Sequence, residues 1–471
     1  MMKIDDIKRV FFIGIGGIGM SALARFFNHK GVKVSGYDKT ATALSRQLEA
    51  EGIAVHYFDD VSLLDKSAQL VVYTPAIPAT QSQLKWYQAR DYEIVKRSDV
   101  LGLITQTGFN ICVAGTHGKT SISTMVAHLL RHSGYGCNAF LGGVSVNYGT
   151  NFWSSANQVS VIEADEFDRS FLKLSPDISV VTSMDSDHLD IYKTDDAMQQ
   201  AFVSFASKTK PSGVLIRKHE LVRLNEAMVR RQLTYQLVGV IEKVVSGQHH
   251  YHEEEDEPDV YAENIMVQGN GYRFDAIISG VGFKGIQLHT GGLHNIENML
   301  VAITVAKLLD IKADTIKDAV AAYKGVKRRF EYILDGSKGF PIFIDDYAHH
   351  PAEIDALLNS VKNMYPGKKI TVIFQPHLFS RTKDFAEGFA TSLSIADETV
   401  LLPIYPAREL PVEGVTSELI GKKMNRVTLL DKNGLYAWLQ LHTTDILVTA
   451  GAGDIDNMIV KMKEIMMEKI S

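Results

Sequence analysis

Two cysteines in 471 residues, Cys112 and Cys137, are too few for a disulfide framework. No apolar run reaches the roughly 18 residues a membrane span requires, which argues against membrane insertion. Neither sign of charge dominates: a net −6 gives no electrostatic footprint for nucleic acid. The amino-terminal MMKIDDIKRVFFIGIGGIG does not have the form of a signal peptide, because its apolar run passes straight into a glycine loop. These absences lead us to expect a protein of the reducing cytoplasm. What is present is an ordinary globular composition, 45% hydrophobic and 22% charged. At roughly 100–200 residues per domain, the length suggests about three domains.

A strand–loop–helix pattern restarts three times. The first restart is RVFFIGIGGIGMSALARFF, with Leu23, Phe26 and Phe27 on one helix face, followed by the strand VKVSGYD. The second is FNICVAGTHGKT. Its helix carries Ile122, Met125, Val126, Leu129 and Leu130 at helical spacing and ends near Gly134. The apolar strands VSVIEADE and ISVVTSMD follow, each ending in acids. The third begins at FPIFIDDYAHHP and continues through KKITVIFQPH, ADETVLLPIY and TDILVTAGAGD. Strands alternating with helices predict an α/β protein with mostly parallel sheets and crossover helices. Connections between domains are expected near residues 105–110 and 325–340. The stretch GQHHYHEEEDEPD (247–259) carries three histidines and an acid run. A metal site is conceivable there, but a solvated loop between strands is the simpler reading.

Two glycine loops carry the chemistry. Gly14, Gly16 and Gly19 in GIGGIG form G-x-G-x-x-G, and Asp38 ends the next strand where a dinucleotide fold places its ribose-binding acid. The physical content is narrower than a nicotinamide cofactor. Backbone N–H groups at a helix N-terminus bind an anion, and any nucleotide diphosphate satisfies them. A tight turn without a ligand would also produce the pattern. The second loop, AGTHGKT, fails the strict P-loop spacing: Val113 stands where the first glycine belongs. It still follows an apolar strand and opens an amphipathic helix. Gly115 and Gly118 let the loop wrap phosphate oxygens, Lys119 reaches the terminal phosphates, and Thr120 offers a hydroxyl to Mg²⁺.

Such a loop needs acids on neighbouring strands. Glu163 and Asp165 end one strand; Asp185, Asp187, His188 and Asp190 follow another. Ligands in open α/β sheets bind at the carboxyl edge, so these groups are expected beside the phosphates. Oxygen ligands suit Mg²⁺, and His188 among three acids is a candidate ligand.

Taken together, these residues resemble the Mur ligase family, ATP-dependent ligases that build the cell-wall peptide. That family's shortened G-T-x-G-K-T loop matches Gly115–Thr120. GIGGIGMSALA, AGTHGKT, EADEFDRSFL, DHLDIY, GLHNIEN, KRRFE, DDYAHHPAEI and FQPHLFSRT lie in the family's order. Within the family they are most similar to the branch that adds L-alanine to UDP-N-acetylmuramate. The resemblance implies three domains: a Rossmann-like UDP-binding unit (1–107), a central P-loop ATPase-type unit with a mostly parallel sheet (108–326) and a Rossmann-like amino-acid-binding unit (327–471).

It also implies site residues. The UDP-sugar would lie on Gly14, Gly16, Gly17, Gly19, Met20, Asp38 and Thr74. ATP would meet Gly115, Thr116, His117, Gly118, Lys119, Thr120, Ser121, Asn295, Asn298, Arg329 and Asp346. Thr120, Glu163 and His188 would hold one or two Mg²⁺ ions. His117, Arg328, Tyr347, His349, His377 and Arg381 would wall the acceptor site. Read alone, Asn295 is equally a helix cap. Lys193 and the 247–259 stretch receive no role from the family.

The implied reaction joins L-alanine to the lactyl carboxylate through an acyl phosphate, releasing ADP and phosphate in peptidoglycan precursor synthesis. Lys119 and the metals would neutralise the phosphoryl charge. His349 or His377 would be the general base, with the choice left open. Arg381 would clamp the alanine carboxylate. Of the neighbours His349 and His350, one is expected to be structural. The same signatures allow three other readings. One is a ligase of the family that recycles a preformed tripeptide. Another is a nicotinamide-dependent oxidoreductase with an NTPase module, which leaves DDYAHHP and FQPHLFSRT without purpose. The third is a UDP-sugar sensor, which has no need of Lys119, Thr120, Glu163 and His188. Monomer and homodimer are equally compatible with the sequence.

Overall fold

The structure is a computed structural model that describes residues 4–185, 189–237, 257–407 and 409–469. Three sheets follow one another along the chain. The first is parallel throughout and contains β1 (Arg9–Ile13), β2 (Lys33–Tyr37), β3 (Ala54–His56), β4 (Leu70–Tyr73) and β5 (Glu93–Lys96) in the order β3-β2-β1-β4-β5. Val10, Phe11, Phe12 and Ile13 are all fully buried. That is why β1 reads as a continuous apolar run: a strand in a sheet covered on both faces needs no polar alternation.

The second sheet holds ten strands: β6 (Phe109–Ala114), β7 (Asn138–Phe140), β8 (Phe152–Trp153), β9 (Val159–Glu163), β10 (Ile178–Val181), β11 (Val214–Lys218), β12 (Gln232–Gln236), β13 (Val260–Gln268), β14 (Gly271–Ile278) and β15 (Val281–Leu288). Their order is β15-β14-β13-β12-β11-β10-β6-β9-β7-β8. Register sets the site: Ala114 pairs with Val181 and Val113 with Glu163, so the P-loop, Glu163 and the segment after β10 leave at one carboxyl edge. Both ends of the sheet depart from the parallel expectation, β8 at one end pairing antiparallel to β7. β13, β14 and β15 form an antiparallel meander. Its tight turns carry positive φ at Gly269, Ser279 and Gly280, the backbone that two-residue hairpins require.

The third sheet contains β16 (Glu331–Asp335), β17 (Ile342–Asp346), β18 (Ile370–Phe374), β19 (Glu398–Leu401), β20 (Val427–Leu429) and β21 (Ile446–Ala450), in the order β16-β17-β21-β18-β19-β20. It starts one strand earlier than FPIFIDDYAHHP, at which the sequence pattern placed its beginning. β16 is antiparallel to β17 and breaks the βα alternation, so it left no periodic signal.

The sheets are joined by apolar packing and polar bolts. Phe26 of the first unit meets Phe140 and Phe152 of the second, with ring centroids 5.4 and 6.3 Å apart. Beside them Arg25, only 6% exposed, grips Glu51 with Nε and Nη2 and gives Nη1 to Asn151 Oδ1. Asn151 Nδ2 reaches back to Ile18 O (2.6 Å) and Ser21 Oγ (3.1 Å) at the start of the glycine-loop helix Ile18–His29. The link to the third unit is held from both sides. Val146 N donates to Gly325 O and Lys327 N to Val144 O, while Tyr347 N donates to Arg328 O and Phe330 N to Asp346 Oδ2.

Candidate active site

At the first glycine loop the backbone leaves β1 and enters the helix Ile18–His29 through Gly14 at φ +87°, with Gly17 as N-cap. Gly16 N donates to Asp38 Oδ2 at 2.8 Å, so the acid that ends β2 docks on the loop itself. Thr74 and Ile77 lie against Gly14, where a Cβ would come within 3.2 and 3.1 Å of them. Gly19 has a more particular reason to be glycine: a Cβ there would collide with the guanidinium of Arg97. Arg97 in turn donates from Nη2 to Asp165 Oδ2 at 3.0 Å, and Lys96 Nζ meets Asp168 Oδ2 at 2.6 Å. Sequence reasoning missed both cations. The available signal was a Lys-Arg pair directly after a strand, at the edge where ligands bind.

The second loop turns at Gly115 (φ +135°) and Gly118 (φ +81°), and Gly118 is the N-cap of the helix Lys119–His132. A Cβ on Gly115 would strike Thr182 Oγ1, and one on Gly118 would sit 3.2 Å from Asn298 Oδ1. Thr116 Oγ1 donates to Asp185 O and His117 N to Ser183 Oγ, which seats the loop on the segment after β10. Thr120 and Ser121 are buried in the first turn. Lys119 Nζ donates to Gly115 O (2.6 Å) and pairs with Glu166, whose side chain is 2% exposed, at 2.7 Å. Burial pushes the Glu166 carboxyl up, and the Lys119 ammonium opposes that shift. Glu166 lies within EADEFD, but only its pairing with Lys119 reveals what it does.

Thr120 Oγ1 donates to Glu163 Oε1 at 3.1 Å, and Gly142 N donates to Glu163 Oε2 at 2.9 Å. These oxygens are a hard donor set, and Mg²⁺ in a nucleotide site needs only one or two protein carboxylates beside the phosphates. The residues present therefore fit Mg²⁺. The sequence also nominated His188, which lies outside the described residues, as does most of 247–259. Among the described residues no cluster of three or more His, Cys, Asp or Glu side chains is arranged for a metal.

The helix Leu293–Leu308 begins at Gly292, which occupies the N-cap. Asn295 therefore is not the cap: it lies in the first turn and donates Nδ2 to Gly291 O at 2.7 Å. Asn298 Nδ2 bonds Asn295 Oδ1 at 3.3 Å and lies beside Gly118, which joins both asparagines to the P-loop.

In the third unit, Asp346 accepts from Phe330 N and Ala348 N and brackets the linker, while Arg329 beside it is exposed. Arg328 stacks over the Tyr347 ring at 5.2 Å, donates Nη1 to Gly453 O at 3.3 Å and lies 3.4 Å from Asp345 Oδ2. His349 and His377 face each other edge to face at 6.2 Å. Arg381 stands on the short helix Phe379–Asp384. Its buried Nη1 has no hydrogen-bond partner among the described residues, and neither does His377 Nδ1. The expected division of the HH pair holds: His350 caps the helix Pro351–Met364 by accepting from Ala352 N.

Three consecutive units with a diphosphate-type glycine loop, a shortened P-loop and a cationic edge define a nucleotide-using enzyme of modular α/β build. Family models described as Mur ligase family, catalytic domain, as Mur ligase middle domain and as Mur ligase, glutamate ligase domain match residues 9–108, 113–306 and 328–453. The chain belongs to the Mur ligase family. A relative from Flavobacterium johnsoniae, named UDP-N-acetylmuramate–L-alanine ligase, is 44% identical over the full length of both chains. The crystal structure of UDP-N-acetylmuramate-alanine ligase MurC from Thermotoga maritima superposes with a TM-score of 0.79 at 24% identity, covering 98% of this chain and 99% of that one. That of a murein peptide ligase from Psychrobacter arcticus superposes at 0.67 with 22% identity, covering 98% of each. The two superpositions speak for the fold.

Proposed function

We propose that the chain is an ATP-dependent amide-bond-forming ligase. It joins L-alanine to the lactyl carboxylate of UDP-N-acetylmuramate through an acyl phosphate, releasing ADP and phosphate in peptidoglycan precursor synthesis. The observation that carries the reading is Arg381, a part-buried guanidinium whose Nη1 has no hydrogen-bond partner among the described residues and whose charge acts on two imidazoles: a carboxylate clamp for a small amino acid. The name of the 44% identical relative favours L-alanine as that amino acid. The three units, divided as 1–107, 108–326 and 327–471, would take the UDP-sugar, ATP and alanine in turn. The setting would be the cytoplasm, with the protein a monomer or homodimer.

Amide formation from a carboxylate and an amine is uphill in water, so the carboxylate must first be activated. The glycine loop with Gly14, Gly16, Gly17 and Gly19 holds the diphosphate. Met20, Asp38 and Thr74 shape its surroundings. Gly115 to Ser121 wrap the ATP phosphates, and Asn295, Asn298, Arg329 and Asp346 serve the nucleoside. Lys119 exchanges Glu166 for phosphate oxygens and neutralises charge in the loose transition state of phosphoryl transfer. Thr120, Glu163 and His188 would hold one or two Mg²⁺ ions, which would supply further charge neutralisation there. His117, Arg328, Tyr347, His349, His377 and Arg381 enclose the acceptor. Arg381 binds its carboxylate, and an imidazole receives its ammonium proton.

The test is phosphate release from ATP, Mg²⁺ and UDP-N-acetylmuramate, with L-alanine or the tripeptide acceptor supplied in parallel. Release with L-alanine is expected, and Lys119→Ala should lower it by at least about a hundredfold. Release with the tripeptide alone would make the chain the recycling ligase of the family.

A further inference from the structure

His349 and His377 are not equivalent. His349 Nδ1 lies 2.9 Å from the carbonyl oxygen of Tyr347 and 3.3 Å from Glu353 Oε2. A carbonyl oxygen only accepts, so Nδ1 carries the proton and Nε2 keeps its lone pair. Glu353 is itself fixed, because Oε2 also accepts from His349 N (2.9 Å) and His350 N (3.1 Å). The His349 ring is therefore held in one tautomer with a carboxylate behind it, the arrangement that orients a base and stabilises the imidazolium formed when it takes a proton. Among the described residues His377 has no such support. It stacks on Tyr405 (5.9 Å, 15°), and its Nδ1 has no partner among the described residues.

We infer that His349 is the general base, acting through Nε2, and that Glu353 is the positioning residue that sets its tautomer and supports its charge. This assignment rests on the ligase reading above. The alanine ammonium gives one proton to Nε2, and the imidazolium is held by Glu353. The freed amine lone pair forms the C–N bond at the acyl carbon. The C–O bond to phosphate then breaks, and phosphate departs with that electron pair and takes the second nitrogen proton.

The charges around the two rings agree. Burial pushes His349 down, Glu353 and the Tyr347 carbonyl pull it back up, and Arg381 and His350 push down. Burial pushes His377 down to about 4, Arg381 and His349 add to that shift, and Glu409 alone opposes it. Tyr347 and Tyr405, the ring neighbours of the pair, complete the set.

Glu353→Gln is a clean probe. Glutamine keeps an oxygen that can cap the helix through His349 N and His350 N, while it removes the charge and exchanges the other oxygen for an amide nitrogen. The experiment follows phosphate release against pH at saturating ATP and UDP-N-acetylmuramate, varying L-alanine, for the wild type, Glu353→Gln and His377→Asn. Hydroxylamine, neutral at neutral pH, is used in parallel to trap the acyl phosphate without a base. In Glu353→Gln the acid limb of kcat/KM for alanine should move to lower pH and the plateau should fall by about tenfold or more. Hydroxamate formation and the KM for ATP should stay at the wild-type level. In His377→Asn the acid limb should stay in place. An acid limb that moves in His377→Asn and not in Glu353→Gln would overturn the assignment. So would hydroxamate formation that falls in step with alanine ligation in Glu353→Gln, because Glu353 would then only hold the fold. Wild-type protein that forms neither product would refute the ligase reading itself.

Discussion

Asp345 and Asp346 are adjacent acids on one strand, both pushed up by burial but with different partners. Asp346 is bracketed by two backbone N–H groups, whereas Asp345 is 1% exposed and holds Thr449 Oγ1 at 2.6 Å. Burial raises Asp345 to about 7; Arg328 and Thr449 oppose the rise, while Glu331 and Asp346 add to it. A folded-state value above the unfolded one means a stabilising contribution complete below about pH 4 and lost as pH rises through about 7. Asp345→Asn cannot ionise. Amide protection in β17 and β21, read by hydrogen exchange, should therefore fall between about pH 4 and 7 in the wild type and less in the variant. Equal losses in both would contradict this account of Asp345. The sequence nominated residues whose chemistry belongs to their own motif, such as Lys119, Thr120, Glu163 and Arg381. It concealed Asp345, Glu166, Glu353 and Arg97, whose roles arise only when another residue folds against them.

Among the elements, the P-loop turn is the most constrained. Gly115 combines φ +135°, where side chains are strained, with a Cβ direction that ends on Thr182 Oγ1. Gly115→Ala should cost about 1–3 kcal/mol of local strain and weaken ATP binding in calorimetry, leaving UDP-N-acetylmuramate affinity intact. An unchanged ATP affinity would mean that the loop can relax away from β10. The helix Lys119–His132 was legible because its apolar residues fall at helical spacing and are buried as that spacing implies. The β13–β15 meander was not. Its evidence was local, an Asn-Gly and a Ser-Gly dipeptide between short alternating runs, and the stronger βα rhythm on either side masked it. β16 was hidden for the same reason.

At the scale of the whole molecule, buried contacts join the first unit to the second, and a linker in strained backbone leads from the second to the third. Arg25 and Asn151 tie the helix after the first glycine loop to the segment entering β8 through buried and part-buried bonds. The linker to the third unit carries Arg328 and Phe330 in left-handed backbone, φ +61° and +49°. Non-glycine residues in that region store strain, and hinges are built from such positions. ATP-site candidates lie on both sides of this linker: Lys119 and Asn298 before it, Arg329 and Asp346 after it. Water must be kept from the acyl phosphate, so ATP together with UDP-N-acetylmuramate should draw the third unit onto the second. Small-angle scattering should then show a smaller radius of gyration with both substrates than with neither, and an unchanged radius would contradict closure. The order of units along the chain was readable from motif order, whereas the bolts between them depend on contacts that no motif encodes.

In the proposed ligase the lactyl carboxylate is activated by phosphorylation before the amine attacks. The most direct test is oxygen transfer. UDP-N-acetylmuramate labelled with oxygen-18 in its lactyl carboxylate is turned over with ATP, Mg²⁺ and L-alanine, and the released phosphate is analysed by mass spectrometry. The account requires one labelled oxygen in each phosphate released, because the attacking carboxylate oxygen leaves with the phosphorus. Unlabelled phosphate accompanying amide formation would contradict it.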